Sequence, residues 1–229
     1  MARTRPAPPR PPRRRRAPEE AREELLVAAD RLLAARGPEE VGLADVAREV
    51  GVSHGLVTHY FGTYVGLVRA VFVRRNRLAA ATVLEQVAAA RETGDVSALQ
   101  RFAVEYVSDP HRARLFLWLR LHEAAGSPAR GEGGGLLRAL VDVLTQELPA
   151  LARGADIDPP ARGTVELLVL LTLAAGHGYA LGKDAWLRGL GLAPGPEVDA
   201  AFHALLLDAL GLCLRSSPTA RAGLAAPRT

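Results

Sequence analysis

Residues 43–60 read LADVAREVGVSHGLVTHY and decide the fold, because they encode two short helices joined by a tight turn. Val46 and Val50 are four residues apart and therefore share one face of the first helix. Gly51 follows at the position where helices commonly end in a left-handed residue. Ser53 is a favourable N-cap for the second helix. The pattern predicts a helix-turn-helix whose second helix is free to enter a DNA major groove.

The helix before this motif is predicted over residues 19–36. Its apolar residues recur at the spacing of one helix face, and acidic residues crowd its first turn, where the helix dipole favours negative charge. Gly37 and Pro38 follow at once and end it. The residues expected to pack beneath this helix are Val46, Val50, Val57 and Phe61.

The remainder of the chain shows only helical patterns, which predicts an all-α protein. Thr63 is a suitable N-cap for a long helix that reaches Arg91. Residues 126–135 are predicted to form a flexible loop. Their GEGGG lacks the Lys-Ser/Thr of a phosphate-binding loop, so this loop is interpreted as a linker. The other helices are predicted over residues 98–108, 110–125, 136–148, 164–181 and 198–210.

The positive charge of the chain is concentrated in an N-terminal arm. Residues 1–16 contain seven arginines and no acid, so the net charge of +4 leaves −3 for the rest of the chain. An arm of this composition is predicted to be disordered when free. It either follows DNA phosphates and the minor groove or is a solvated tail. The arginines closest to the first helix, and hence the candidate DNA contacts of the arm, are Arg13, Arg14, Arg15 and Arg16.

Several classes of protein are disfavoured by what the sequence lacks. Cys213 is the single cysteine, so an internal disulfide or a cysteine-based metal cluster is impossible. The apolar segment 167–182 is interpreted as too short for a membrane span, and the N-terminus does not resemble a signal peptide. The HExxH, GxSxG and CxxC motifs are absent, and His54 and His59 are not at metal-binding helical spacing. We expect a soluble, cytoplasmic protein that is not an enzyme and needs no cofactor or metal.

Residues 51–61, GVSHGLVTHYF, preceded by DVA at 45–47, resemble the recognition-helix signature of TetR-type transcriptional regulators. The preceding helix and FGTYVGLVRAV at 61–71 fit the same family. The resemblance covers roughly residues 23–73, and beyond them only the helical pattern and the chain length agree. It implies a three-helix DNA-binding domain followed by a helical domain that binds a ligand and dimerises.

The resemblance also implies which side chains contact DNA. Thr58, His59 and Tyr60 match family positions that touch phosphates or base edges. The fourth helix usually opens with a lysine that binds a phosphate and then an acid, but Tyr64 and Val65 stand there in this chain. A positive charge is lost, and Tyr64 offers only a hydroxyl. The candidate DNA-binding residues outside the arm are Arg48, Ser53, His54, Gly55, Leu56, Thr58, His59, Tyr60 and Tyr64.

Polar and aromatic residues among the apolar helices of the larger domain indicate a candidate small-molecule pocket. Gly176 and Gly178 flank His177, where a helix can loosen near a ligand. The alternative is that these residues are ordinary core aromatics and a satisfied core histidine. The candidate ligand-binding residues are Tyr106, Phe116, Trp118, His122, His177, Tyr179 and Trp186.

The last two predicted helices are candidates for a subunit interface. The helix at 164–181 has no polar face, so it must be covered on both sides, by its own core and by a second subunit. The resemblance implies that it pairs with the last helix and their symmetry mates in a four-helix bundle. The candidate interface residues are Leu168, Leu171, Ala175, Phe202, Leu205, Leu206 and Ala209.

These observations favour a homodimeric regulator that binds a near-palindromic DNA operator and is released by an unknown small apolar effector. One alternative is a helical small-molecule enzyme, which the missing catalytic motifs disfavour. A second is a helical binding or scaffold protein with a weakened DNA reader, suggested by Tyr64 and Val65. The predicted organisation is a disordered arm (1–18), a helix-turn-helix DNA-binding domain (19–65), a ligand-binding and dimerisation domain (66–215) and a disordered tail (216–229).

Overall fold

The computed structural model describes residues 17–123, 130–151 and 160–216, and within these ranges the secondary structure is entirely helical. The predicted all-α fold is therefore confirmed. The helices of the described ranges are α1 (Pro18–Arg36), α2 (Leu43–Val50), α3 (His54–Phe61), α4 (Tyr64–Thr93), α5 (Ser97–Val107), α6 (Pro110–His122), α7 (Arg130–Leu151), α8 (Arg162–Gly189) and α9 (Pro196–Ser216).

The turn between α2 and α3 is built as the sequence predicts. Gly51 has φ 72° and ψ 37°, the left-handed conformation that ends α2 at low cost. The Ser53 hydroxyl accepts a hydrogen bond of 3.3 Å from the Leu56 amide and caps α3. Thr63 caps α4 in the same way, through a 3.0 Å hydrogen bond from the Gly66 amide. The caps fix where each helix begins and hence how α3 is presented.

One apolar core connects the first three helices to the larger domain. Val46 and Val57 pack in it, and so do α4 residues such as Leu67 and Val71. Its members also include Leu115, Trp118 and Leu119 from α6. Helix α6 is therefore buried against the same core as α2 and α3.

The larger domain surrounds α4 and α8. Helix α4 packs against α5, α6 and α7, while α8 packs against α5, α6, α7 and α9. By length and composition α8 is apolar enough to cross a membrane, so the prediction that this region falls short of a span was wrong. The helix is longer than its uncharged segment 167–182, since it runs from Arg162 to Gly189. Core helices of soluble proteins have the same composition.

Other boundaries also differ from the sequence prediction. The glycines at 131–135 begin α7 and do not form a loop, despite the low helix propensity of glycine. Helix α6 ends at His122, three residues earlier than predicted. Residues 126–129 of the predicted loop, residues 1–16 of the arm and residues 217–229 of the tail lie outside the described ranges.

Candidate nucleic-acid interface and buried arginine cluster

Helix α3 is anchored on one side and open on the other. Val57 is fully buried in the common core, and Val52 is half-buried beside it. His54, Gly55 and His59 are exposed, whereas Leu56 and Thr58 are half-buried. The side of α3 that the sequence assigns to DNA is therefore accessible at its N-terminal end.

Gly55 sits in open space in the first turn of α3. A Cβ atom built at this position meets only the Ser53 hydroxyl oxygen, at 4.0 Å, so nothing in the described protein requires glycine there. Glycine also weakens a helix relative to alanine by about 1 kcal/mol. Because the fold does not need this glycine, its lack of a side chain is better explained by a DNA backbone that approaches this surface closely.

Tyr60 lies at the end of α3 with its ring half-buried. The ring packs against His59 and Phe61, with ring centroids 5.6 and 6.3 Å apart. Within the described ranges its hydroxyl makes no hydrogen bond, which leaves it available to a phosphate or base. Phe61 contacts the core and lies under the Arg22 guanidinium, so it is a core aromatic as interpreted.

Charge around α3 is partly neutralised by an acid on α2. The Arg48 side chain is 76% exposed, and its Nη1 donates to Asp45 at 3.0 Å. The Gly42 amide donates to the other Asp45 oxygen at 2.9 Å. The hydrogen bonds from Gly42 and Arg48 lower the pKa of Asp45, so this acid stays ionised beside Arg48. Asp45 therefore offsets part of the Arg48 charge at this surface.

Tyr64 occupies a different position from the one the sequence suggests. Its hydroxyl donates a 2.7 Å hydrogen bond to the Pro38 carbonyl, and its ring packs edge-on against Trp118 at 5.4 Å. Burial, followed by the charges of Glu39 and Asp45, raises the pKa of Tyr64 to about 12. Because the hydroxyl is used inside the protein, the structure does not support the expected phosphate contact.

A second cluster lies in the larger domain, around a buried cation. Arg112, in the first turn of α6, is only 6% exposed. Its Nη1 lies 2.5 Å from His177 Nε2 on α8, and its guanidinium carbon lies 4.3 Å from the centre of the Tyr106 ring. Phe72 lies near the same guanidinium, at 5.8 Å, and Phe116 stacks on His177 with ring centroids 5.0 Å apart. We call Arg112, His177, Tyr106, Phe72 and Phe116 the Arg112 cluster.

Sequence reasoning proposed Tyr106, Phe116 and His177 for this region but missed Arg112. The signal was present, because residues 112, 115 and 119 share a helix face whose other two members are buried leucines. A charged residue in phase with buried leucines is unusual and calls for a partner. The helical periodicity thus predicts that Arg112 is buried, although arginine as a residue type is usually found on the surface.

The Arg112 cluster is electrostatically positive. Burial and then the Arg112 charge lower the pKa of His177 to about 4, so this imidazole is neutral at pH 7. Burial also raises the pKa of Tyr106, which therefore stays protonated and donates a 2.6 Å hydrogen bond to Asn76 on α4. Neither neighbour supplies a negative charge to the guanidinium.

The N-terminal geometry agrees with a known class of regulators. Residues 25–71 match the model of the bacterial regulatory proteins of the tetR family. The N-terminal domain belongs to the tetR family. The resemblance read from residues 23–73 is thereby confirmed, and the chain is a DNA-binding transcriptional regulator. No curated protein matches it in sequence.

Solved structures show that the rest of the chain also has the fold of tetR-family proteins. A TetR-family transcriptional regulator from Pectobacterium atrosepticum is similar with a TM-score of 0.59 at 21% identity, over 90% of this chain and 100% of the other. NalD of Pseudomonas aeruginosa, the secondary repressor of the MexAB-OprM multidrug efflux pump, gives 0.54 at 19% identity, over 88% and 100%. FadR of Bacillus halodurans, a fatty acid degradation regulator, gives 0.58 at 14% identity, over 90% and 99%.

The remaining candidate ligand-binding residues lie in other places. Trp118 and His122 stack on each other on α6, with centroids 4.0 Å apart and Trp118 against the N-terminal core. Tyr179 stacks on Phe202 at 3.8 Å and donates a 2.7 Å hydrogen bond to Asp199. Trp186 is exposed. The seven predicted residues therefore do not form one pocket, and only Tyr106, Phe116 and His177 meet at Arg112.

The predicted interface residues of α8 and α9 fall on different faces. Leu171, Leu205 and Ala209 are exposed as a subunit interface requires. Phe202 packs inside the protomer on Tyr179, and Leu206 is 8% exposed, against 69% for Leu205. Part of the apolar stripe of α9 therefore faces the inside of the protomer. The exposed apolar residues of α9 lie on a different side of the helix. Leu168 and Ala175 are half-buried, and the other exposed leucines of these helices are Leu167, Leu170, Leu181 and Leu212.

Two expectations concern parts that the structure leaves open. Arg13, Arg14, Arg15 and Arg16 lie outside the described ranges, so their DNA contacts stay a prediction. Among the described residues, no group of three or more His, Cys, Asp or Glu side chains is arranged to hold a metal.

Proposed function

We propose that this protein is a ligand-released repressor that binds a near-palindromic DNA operator as a homodimer. The observation that carries the proposal is the exposed N-terminal end of α3 on a buried anchor, inside a tetR-family domain. Helix α3 supplies contacts from His54, Gly55, Thr58, His59 and Tyr60. Two copies of α3 on a two-fold axis read half-sites about 34–36 Å apart, or at a related spacing.

Affinity for the phosphate backbone must come from few charges. Arg48 is paired with Asp45, and Tyr64 is turned inward. The arginine-rich segment 1–16 lies shortly before α1 in sequence, and we assign the remaining phosphate contacts to it. Binding that depends on such an arm falls steeply as salt rises, because each neutralised phosphate releases counterions.

Dimerisation follows from the apolar surface of α8 and α9. Large leucines on both helices are exposed in the isolated protomer, Leu170 and Leu205 among them. Soluble monomers rarely leave an apolar patch of this kind uncovered. A two-fold axis through the patch pairs the same helices from each protomer, which is how closed dimers are built. Coverage by a second copy also explains an α8 whose composition otherwise suits a membrane.

Release by a ligand is explained by the shared core. Trp118 of α6 packs both against the N-terminal core and against Tyr64 of α4. A ligand that binds better when α6 is displaced repacks Trp118 and changes the distance between the two copies of α3. DNA affinity then falls by the factor by which the ligand prefers the arrangement with α6 displaced over the arrangement that binds DNA. NalD, which has the same fold, is a repressor, and this favours repression over activation. We also infer that the protein acts as a soluble regulator in the cytoplasm.

The first experiment selects bound sites from random duplex DNA with the full-length protein. We expect an enriched sequence with two inverted half-sites, bound with an affinity that drops by 10³ or more between 50 and 200 mM salt if six or more phosphates are contacted, roughly as for other DNA-binding dimers. Sedimentation velocity in the same buffer is expected to show a dimer. Enrichment of a single half-site contradicts the dimeric reader, and no enrichment at low salt favours the scaffold alternative.

A further inference from the structure

Arg112 is an unusual residue because a buried arginine is normally neutralised by an acid. Its side chain lies between α4, α5 and α8, with Phe72, Tyr106 and His177 around the guanidinium. These neighbours provide aromatic faces, one neutral imidazole nitrogen and the Tyr106 hydroxyl, which has a side-chain hydrogen bond with Arg112. The stabilisation of a guanidinium by cation–π contacts is small beside the cost of removing a full charge from water.

No carboxylate of the described residues lies within 4 Å of this guanidinium, although the chain has an acid close in sequence. Asp109 precedes Arg112 by three residues, but one oxygen accepts a hydrogen bond from the His111 amide at 2.9 Å. The other oxygen accepts from Arg75 at 3.4 Å. Asp109 is thus used to cap α6 and to hold α4. The acid nearest in sequence is therefore already engaged.

One hydrogen-bond donor of Arg112 is left without a partner. Nη1 donates to His177 Nε2, whereas Nε is buried and unpaired. Nε belongs to the edge of the guanidinium that pairs side-on with a carboxylate. An unpaired buried donor on a charged group costs several kcal/mol, so native proteins rarely retain one without a use.

Arg112 lies in the first turn of α6, where a cation is disfavoured. The first turn of a helix carries a partial positive charge, which favours anions and disfavours cations. The first turn of α6 contains no acid and holds Pro110, His111 and Arg112. The Asp109 carboxylate caps this helix end, so the acid that meets the helix dipole does not pair with the guanidinium.

We propose that the effector of this protein is an organic acid whose carboxylate binds Arg112, with its apolar body against Phe72, Tyr106 and Phe116. The proposal rests on the ligand-released function and specifies the chemical class of the ligand. The carboxylate pairs with the Nε edge, and the aromatic side chains provide the apolar walls that small-molecule sites usually have. Because Arg112 and Phe116 are both on α6, the ligand acts on the helix that packs against the reader.

A purely structural arginine makes a different prediction for the ligand-free protein. If the cation–π contacts were the purpose of Arg112, its replacement would lower the thermal midpoint. If the Arg112 charge is neutralised only by a bound ligand, a neutral side chain of similar volume removes the cost of burying an unpaired charge in the ligand-free protein. We therefore expect Arg112→Met, without ligand, to unfold at the wild-type temperature or above.

The binding test uses full-length protein and two matched pairs of probes, 2-naphthoate with 2-naphthamide and octanoate with octanamide. Calorimetry is expected to show that wild type binds the acid of at least one pair ten or more times tighter than its amide. Arg112→Gln is expected to reduce this preference to less than twofold. The matched control is Arg120→Gln, which removes an exposed arginine of the same helix that pairs with Glu123; it is expected to keep the wild-type preference.

The outcomes are separable from those of the proposed function. An equal affinity for acid and amide in both pairs, or no binding of either pair, overturns the organic-acid proposal, as does a preference that survives in Arg112→Gln. Should that variant not fold, the wild-type protein still decides, because the acid of the pair that binds, and not its amide, must shift the imidazole nitrogen resonances of His177. If only neutral compounds release the protein from DNA, the proposed repressor function stands, but the proposal that the effector is an organic acid is contradicted. An Arg112-dependent preference without any DNA binding supports the site and contradicts the repressor.

Discussion

The Tyr64 hydroxyl donates a 2.7 Å hydrogen bond to the Pro38 carbonyl oxygen, which joins the first turn of α4 to the loop that follows α1. The Tyr64 ring also contacts Trp118 of α6. Tyr64 thus contacts both the DNA-binding domain and the helix that carries Arg112. A lysine at this position would bind a phosphate in related proteins, whereas this tyrosine acts within the protein.

Tyr64→Phe tests this assignment. The variant loses one half-buried hydrogen bond but keeps the ring contact, so we expect the free energy of unfolding to fall by about 1 kcal/mol. Operator affinity, measured by fluorescence anisotropy, is expected to stay within twofold of wild type. A fivefold weaker operator complex with unchanged stability would show instead that the hydroxyl contacts DNA.

Tyr60 provides the contrasting case, because its hydroxyl has no hydrogen bond in the described protein. Tyr60→Phe is expected to leave the free energy of unfolding within 0.5 kcal/mol of wild type, roughly the range of surface substitutions. It should weaken operator binding about fivefold, since one hydrogen bond contributes roughly 1 kcal/mol. Tyr60→Ala is expected to weaken it further while sedimentation still shows a dimer. Unchanged affinity in both variants removes Tyr60 from the interface.

Gly55→Ala separates folding from recognition at the start of α3. The new methyl group has open space in the protein, and alanine favours a helix over glycine by about 1 kcal/mol. We expect thermal unfolding to shift upward and operator affinity to fall, because the methyl group meets the DNA surface. Gly135→Ala is the control, since this helical glycine also has open space but lies in α7. An operator affinity that rises with stability contradicts close approach at Gly55.

The sequence predicts the helix-turn-helix, α2 and α3, better than it predicts the larger domain, for a physical reason. Gly51 and Ser53 act through local backbone geometry and hydrogen bonds, which a short stretch of chain determines by itself. The direction of Tyr64 depends on Pro38 and Trp118, which are distant in sequence. Local rules therefore locate α2 and α3 but do not show that Tyr64 points inward.

The ligand-binding prediction was limited in the same way. Aromatic residues on apolar helices fill a core as well as a pocket, so Tyr179 and Phe202 stack on each other and form no common site with Arg112. The helix spacing that places Arg112 in phase with Leu115 and Leu119 was the more specific signal. On α9, an apolar stripe does not show which edge faces a partner, as Leu205 and Leu206 demonstrate.

The proposed interface on α8 and α9 predicts a dissociating variant. Leu205→Glu places a charge on the exposed apolar face, where a paired copy would bury it without a partner. We expect sedimentation velocity to show a monomer at micromolar concentration and operator binding to weaken by at least tenfold. Leu121→Glu is the matched control, because Leu121 is 72% exposed but lies on α6. A dimeric Leu205→Glu variant would place the interface elsewhere.

His177 predicts how stability depends on pH. Its pKa is about 4 in the folded protein, below the ordinary value of 6.5, so between these values the unfolded chain binds more protons. Folding stability is therefore expected to fall as pH drops from 6.5 towards 4. His177→Gln removes this contribution, and urea unfolding should show a smaller loss between pH 7 and pH 5 than in wild type. His59→Gln removes an exposed histidine of α3 and should lose as much stability as wild type over the same interval. An equal loss in His177→Gln and wild type would show that burial and the Arg112 charge do not lower the pKa of His177.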